Sequence, residues 1–380
     1  MPSTLGDPSS ISRSFDLDFL RGLFVLGILF YHIVPGTPVG FGQGSMEGFF
    51  CLSGFLITRT LLRRITLGWP GLRDFAVNRL RRLMPALLLN LGLIAVLNLW
   101  FAKADFWLVL RSIGFSILGF YNWFQVVQGK PLPGLGGIWS LSVEDQFYML
   151  VITSAALLIG LRLERKKRVF FLTLYVLFVV TSLAVRAGNT VWWTDQSRSA
   201  VSYLTPQRLW AFGWGGLAAL AFLAGTEKKG LLVWISRVHP ALWLGLALLA
   251  MISVKKYDAN AFLHGWLWCS LPIAICILCT TVRGGSSPTF EVGGRFSIWI
   301  AQIGVACYPI YLFQEFEVNL NLSLPWPISF VLSLLLGGLI HVCIEKKFYD
   351  FPHYKIQKAH TALRLNSLQV KLKAFYKKWL

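Results

Sequence analysis

The stretch FDLDFLRGLFVLGILFYHIV, residues 15–34, decides how the chain is read. It is about as long as the helix that crosses a hydrocarbon core of roughly 30 Å, yet it carries Asp16, Asp18, Arg21 and His32. Ionisable groups at membrane depth are costly and in most cases mark a function. Arg21 and His32 lie eleven positions apart, a climb of roughly 16 Å at 1.5 Å per residue. Eleven positions is also about three helical turns, so the two side chains share a face. The pair suits an extended ligand whose anionic end meets the Arg and whose reactive end meets the His. The plainer reading is a snorkelling Arg and a hydrogen-bonded His.

Outward from this stretch the same character repeats. Of the 380 residues 55% are hydrophobic and 14% charged, against about 25% charged in soluble domains, and the mean hydropathy is +0.60. Apolar runs are expected to span at 17–34, 46–62, 83–102, 141–161, 169–186, 208–225, 231–254, 264–282, 298–316 and 326–344. A further stretch, 106–128, is broken by Gly114, Gly119, Asn122 and Gln125. The sequence therefore predicts an all-α polytopic integral membrane protein with about ten transmembrane helices and one re-entrant or interfacial segment. Residues 1–16 form an N-terminal segment, 17–345 the membrane domain and 346–380 a basic tail. No internal repeat of the kind common in transporters is visible.

The formal net charge is +19, and its placement matters more than its size. Arg59, Arg63, Arg64, Arg73, Arg79, Arg81 and Arg82 fall in one loop, Arg162, Arg165, Lys166, Lys167 and Arg168 in another, and nine Lys/Arg lie in 346–378. Such clusters mark cytoplasmic loops and hold anionic lipid headgroups. They share one side only if 106–128 does not span. That stretch becomes a candidate wall of a binding site, since irregular backbone at membrane depth must be buried or line a cavity. Both termini are then cytoplasmic, in the plasma (inner) membrane. Nothing resembles a groove-reading module, so nucleic acid is not an expected partner. Cys276 and Cys279 have the spacing of a zinc half-site, but no second pair or His cluster accompanies them, so no metal is expected. The first apolar run lacks a small-residue cleavage pattern, so no cleavable signal peptide is expected.

Two more stretches carry chemistry. GSMEGFFCLSGFLITRTLLRR, from Gly44, holds Gly48 and Gly54, which permit close helix approach, and Ser53, a hydroxyl among aromatics. GIWSLSVEDQFYMLVI, from Gly137, has Ser140 or Ser142 to cap a helix and Glu144 and Asp145 for its first turn, near the positive dipole end. Glu144 also stands at the membrane level expected for His32, where a carboxylate can fix a tautomer.

LDFLRG, the His eleven positions beyond its Arg, MEGFFCLSGFLI, RLRRLMPALL, WSLSVEDQFY, CYPIYLF and IEKKF occur in the order of the acyltransferase 3 family of membrane-bound O-acyltransferases. The resemblance covers about 18–348. It implies an acyl-CoA donor, usually acetyl-CoA, used as substrate with no permanently bound cofactor. It also implies hydroxyl acceptors on surface polysaccharides, lipid-linked glycans or glycosylated metabolites. By motif position, Arg21 and His32 match the family's Arg and essential His, Asp18 the acidic residue before the Arg, Ser53 the serine of the aromatic-Ser-Gly motif and Glu144 the later glutamate. Arg79, Arg81 and Arg82 match the basic cytoplasmic stretch. Gln314 stands where many members have a His, and no hydrolase-like domain is expected after the last span.

The expected mechanism puts the donor's phosphates on Arg21, Arg79, Arg81 and Arg82, whose planar forks pair well with phosphate. His32 acts as general base on the acceptor hydroxyl, an acyl-His32 intermediate being the covalent variant. Glu144 or Asp18 orients charges, and Ser53 donates to the tetrahedral oxyanion. A glycolipid transporter or flippase is the competing class, and acyl-CoA binding separates the two. Oligomeric state is not set by the sequence.

Overall fold

The computed structural model describes residues 14–129, 131–192, 203–225, 238–253, 259–283, 289–290, 294–314 and 324–348. Among the described residues there are helices, turns and no strand. In chain order the helices are α1 (Phe15–Ile33), α2 (Val39–Ile65), α3 (Gly68–Val96, continued by a π turn, Leu97–Phe101), α4 (Phe106–Ile117), α5 (Tyr121–Gln128) and α6 (Ile138–Gly160). They are followed by α7 (Lys167–Trp192), α8 (Leu209–Gly225), α9 (Pro240–Ser253), α10 (Ala259–Arg283), α11 (Arg295–Val305), α12 (Cys307–Phe313) and α13 (Trp326–Ile340, continued by a π turn, His341–Glu345).

Among the described residues four helices are both long and apolar enough to cross a bilayer: Gly68–Phe101, Ile138–Gly160, Glu164–Gly188 and Trp326–Phe348. A fifth is added if α11 and α12 count as one span. The remaining expected spans are helical where described, but α1 and α2 carry charged or polar turns, and α8 and α9 are shorter. Parts of the expected spans 231–254 and 298–316, and most of the basic tail, lie outside the described residues.

The expected span 298–316 is broken where it is described: α11 and α12 meet at Ala306 with a bend of 66°. Pro309 supplies the reason. Its ring excludes an amide donor and disfavours the α conformation just before it, so it is tolerated in the first turn of a new helix and not inside a continuing one.

The stretch 106–128 is broken. Gly119 takes a left-handed φ of +74° between α4 and α5. With 12 and 8 residues, the two helices rise roughly 18 and 12 Å, and neither crosses a bilayer alone. Gln146 of α6 holds the break: its amide donates to the Gly119 carbonyl at 2.7 Å and to Asn122 Oδ1 at 2.8 Å, and its oxygen accepts from Trp123 Nε1 at 3.1 Å.

The bundle closes on glycines. Helix association in lipid relies on close packing, because lipid tails are as apolar as the side chains. Gly304 of α11 lies against the backbone of Asp18 and Gly22 in α1, where an added Cβ would sit 2.7 Å from the Gly22 nitrogen. Gly54 of α2 meets the backbone of Phe212 in α8 in the same way, and Gly48 lies under the Phe24 ring. At the start of α1, Asp16 is buried and accepts from the backbone N–H groups of Thr289 and Phe290 at 3.0 and 2.9 Å.

Candidate active site

Helices α1, α2, α3, α6 and α12 enclose a cavity with about 750 Å³ of empty space, part of it open to the outside. Its polar lining includes Arg21, Ser53, Arg79, Arg82, Glu144 and Tyr308, set among apolar side chains such as Phe49, Phe50 and Leu56. The helical period explains the selection from the basic stretch. Arg79 and Arg82 are three apart on α3 and share a face, so both reach the cavity, whereas Arg81 points elsewhere and is exposed.

Each cavity arginine has its own carboxylate. Arg21 bonds Asp18, one turn back on α1. Arg79 Nη2 lies 3.1 Å from Glu144 Oε1, and its guanidinium carbon stands 4.3 Å from the Tyr148 ring centroid. Arg82 Nε lies 3.5 Å from Glu345 Oε1, and the second oxygen of Glu345 lies 2.7 Å from His341 Nδ1. The guanidinium forks are thus oriented before any ligand arrives, which lowers the ordering cost of binding an anion.

Glu144 is the centre of one side. Its Oε1 also accepts from the Ser53 hydroxyl and from the Tyr148 hydroxyl, one turn further along α6. A serine has one proton, and in this geometry Ser53 gives it to Glu144. Glu144 is bound to Ser53, Tyr148 and Arg79, and His32 is not among its partners. The helix begins earlier than expected, at Ile138, with no side-chain cap and no acidic residue in its first turn. Ser140 instead bonds the Gly137 carbonyl at 3.0 Å and Tyr311 at 2.6 Å, and Ser142 accepts the backbone N–H of Tyr121 at 3.1 Å.

His32 lies outside the cavity lining, exposed at the last turn of α1, with its ring 5.1 Å from that of Tyr31. Helix α1 packs along α2 with Gly48 under Phe24 and Gly27 against Ser45. The cavity residue Met46 is therefore level with about position 26. His32 stands some six positions further, a rise of about 9 Å. Gln314, at the end of α12, is buried, and its side-chain amide finds no hydrogen-bond partner among the described residues.

A second charged cluster has no expected counterpart. Glu47 of α2 is fully buried, with Arg208 Nη1 at 2.8 Å, Trp210 Nε1 at 2.7 Å and Ser270 Oγ at 3.0 Å. Arg186 approaches it at 3.8 Å and stacks over Trp210 at 3.9 Å. Glu47, Arg186 and Arg208 each sit at an end of one of the apolar runs 46–62, 169–186 and 208–225, and nothing in the local pattern marks them as partners.

A family model described as an acyltransferase domain matches residues 15–344. A Bacillus subtilis protein named "Putative peptidoglycan O-acetyltransferase YrhL" is 28% identical over 320 residues, 78% of this chain and 47% of that protein. The "Peptidoglycan O-acetyltransferase OatA" of Listeria monocytogenes is 30% identical over 151 residues, 35% of this chain and 23% of its own. A Staphylococcus aureus (strain COL) protein named "Putative O-acetyltransferase SACOL0978" is 33% identical over 160 residues, 40% of this chain and 26% of its own. The chain thus spans less than half the length of each of these relatives. No solved structure matches it.

Proposed function

Because the chain belongs to the acyltransferase family whose domain matches residues 15–344, we propose that it is an O-acyltransferase of the plasma (inner) membrane with both termini cytoplasmic. It takes an acyl group, acetyl in the first instance, from acyl-CoA and places it on a hydroxyl of a carbohydrate polymer such as peptidoglycan. One observation carries the reading: Arg21, Arg79 and Arg82 converge on one cavity, and α1, which supplies Arg21, carries His32 about 16 Å further along. The donor's phosphates meet the guanidiniums, with Asp18 and Glu144 as positioning carboxylates for Arg21 and Arg79. The pantetheine arm runs along α1 and presents the thioester near His32.

There His32 removes the acceptor hydroxyl's proton as the oxygen attacks the thioester carbonyl. The C–S bond then breaks, and the CoA thiolate takes the proton from the imidazolium. The acceptor class comes from the named relatives and from the exposure of His32, which leaves it accessible to a bulky glycan. The test is direct. Purified protein in lipid nanodiscs is given radiolabelled acetyl-CoA with de-O-acetylated peptidoglycan fragments or other cell-surface glycans. Label in an alkali-labile ester on a glycan supports the reading; a folded protein that neither binds CoA nor labels any glycan overturns it.

A further inference from the structure

The π turn that ends α13 places two side chains, to which the sequence assigned no role, behind a cavity arginine. His341 and Glu345 are one such turn apart, Glu345 is buried, and its two oxygens are divided between His341 Nδ1 at 2.7 Å and Arg82 Nε at 3.5 Å. Departures from α geometry into π turns recur at functional sites. Arg82 itself lines the cavity. We propose that His341 and Glu345 are positioning residues that aim Arg82 at a phosphate of the acyl donor, so that α13 helps to set donor affinity without touching the reacting atoms. The inference rests on the acyl-CoA reading of the cavity.

Three facts support it. A carboxylate buried to this degree must be paired, and Glu345 is paired on both sides. The contact to Arg82 is made through Nε, the edge of the guanidinium that fixes the direction of the fork. Arg21 and Arg79 are held in the same manner by Asp18 and Glu144, so the third pair completes a set of three oriented cations around one space.

The test is CoA binding by the full chain in nanodiscs, measured for wild type, Glu345→Ala, Arg82→Ala and the double variant, with CoA and 3′-dephospho-CoA as probes. Losing an oriented guanidinium–phosphate contact should weaken CoA binding about tenfold. Glu345→Ala should reproduce most of the Arg82→Ala loss, and the double variant should be no weaker than Arg82→Ala alone, because the two act as one unit. If the Glu345→Ala loss vanishes with 3′-dephospho-CoA, Arg82 meets the 3′-phosphate; if it persists, Arg82 meets the diphosphate. His341→Gln should give a smaller loss in the same direction. Unchanged CoA affinity in folded Glu345→Ala, or losses that multiply in the double variant, would overturn the proposal while leaving the acyl-CoA reading in place. A wild-type protein that binds no CoA removes both. Where Glu345→Ala does not accumulate, the isosteric Glu345→Gln carries the same comparison.

Discussion

Replacing Gly304 by alanine should destabilise the protein, against the usual sign for a helical glycine. In an exposed helix the change gains up to about 1 kcal/mol from helix propensity. At Gly304 the new Cβ would run into the Asp18 carbonyl oxygen and lie 2.7 Å from the Gly22 nitrogen and 2.8 Å from the Asp18 carbonyl carbon. Ordinary van der Waals contact begins at 3.4 Å, so the Gly22 nitrogen alone must retreat by about 0.7 Å. These are backbone atoms of a packed helix and cannot rotate away as a side-chain tip would. Overpacking of this kind costs about 1–3 kcal/mol, and the rigid neighbour places Gly304→Ala toward the upper end. The displaced segment also carries Asp18 and Arg21, so CoA affinity should fall along with stability. The assay is thermal unfolding in nanodiscs beside a control, Gly92→Ala, where nothing lies within 4 Å of the new Cβ. The control should be neutral or slightly stabilised. If Gly304→Ala melts with Gly92→Ala and binds CoA equally well, the close α1–α11 crossing is wrong.

His32→Gln should leave a folded protein that still binds CoA but transfers acyl groups at least ~10²-fold more slowly; near-normal turnover at equal abundance would remove His32 from the chemistry. Arg79→Ala and Arg82→Ala should each weaken CoA binding, while exposed Arg81→Ala changes it less than about twofold, as expected of a surface charge; equal losses from all three would mean that general positive charge, not cavity position, governs affinity. A cysteine at Gln128, which is exposed at the end of α5, should react with an impermeant maleimide added from outside the cell. Labelling only after permeabilisation would place the broken segment on the cytoplasmic side.

What the sequence made legible was local. The spacing of Arg21 and His32 on one helix, the breaks at Gly119 and the close approaches at Gly48 and Gly54 follow from helical geometry and residue size, and the structure shows each of them. What depended on depth or on distant partners was not legible. Glu144 was set beside His32 because both were assigned to the outer end of their spans. An end fixes a side, not a height, and a helix that begins a turn earlier puts Glu144 against Arg79 instead. The grouping of Arg79 with Arg82 and without Arg81 was available from the period of α3, but only once a cavity on one side of that helix was known. Glu345, His341 and the Glu47 cluster join residues far apart in the chain or on a π turn, and no short-range pattern announces them.

The buried Glu47 cluster also has a temporal side. Arg208 follows Glu47 by 161 residues, so at roughly 5–20 residues per second a ribosome delivers the guanidinium about 8–32 s after the carboxylate. For that interval α2 holds an acidic group whose eventual counter-ions do not yet exist, at an insertion cost of about 3 kcal/mol if it stood at the centre of the bilayer. Helix α2 is therefore a poor candidate for early, independent release into lipid. Its final seat becomes favourable only when α7 and α8 arrive, which makes biogenesis of this bundle a matter of holding an early helix at the site of synthesis until later ones complete it.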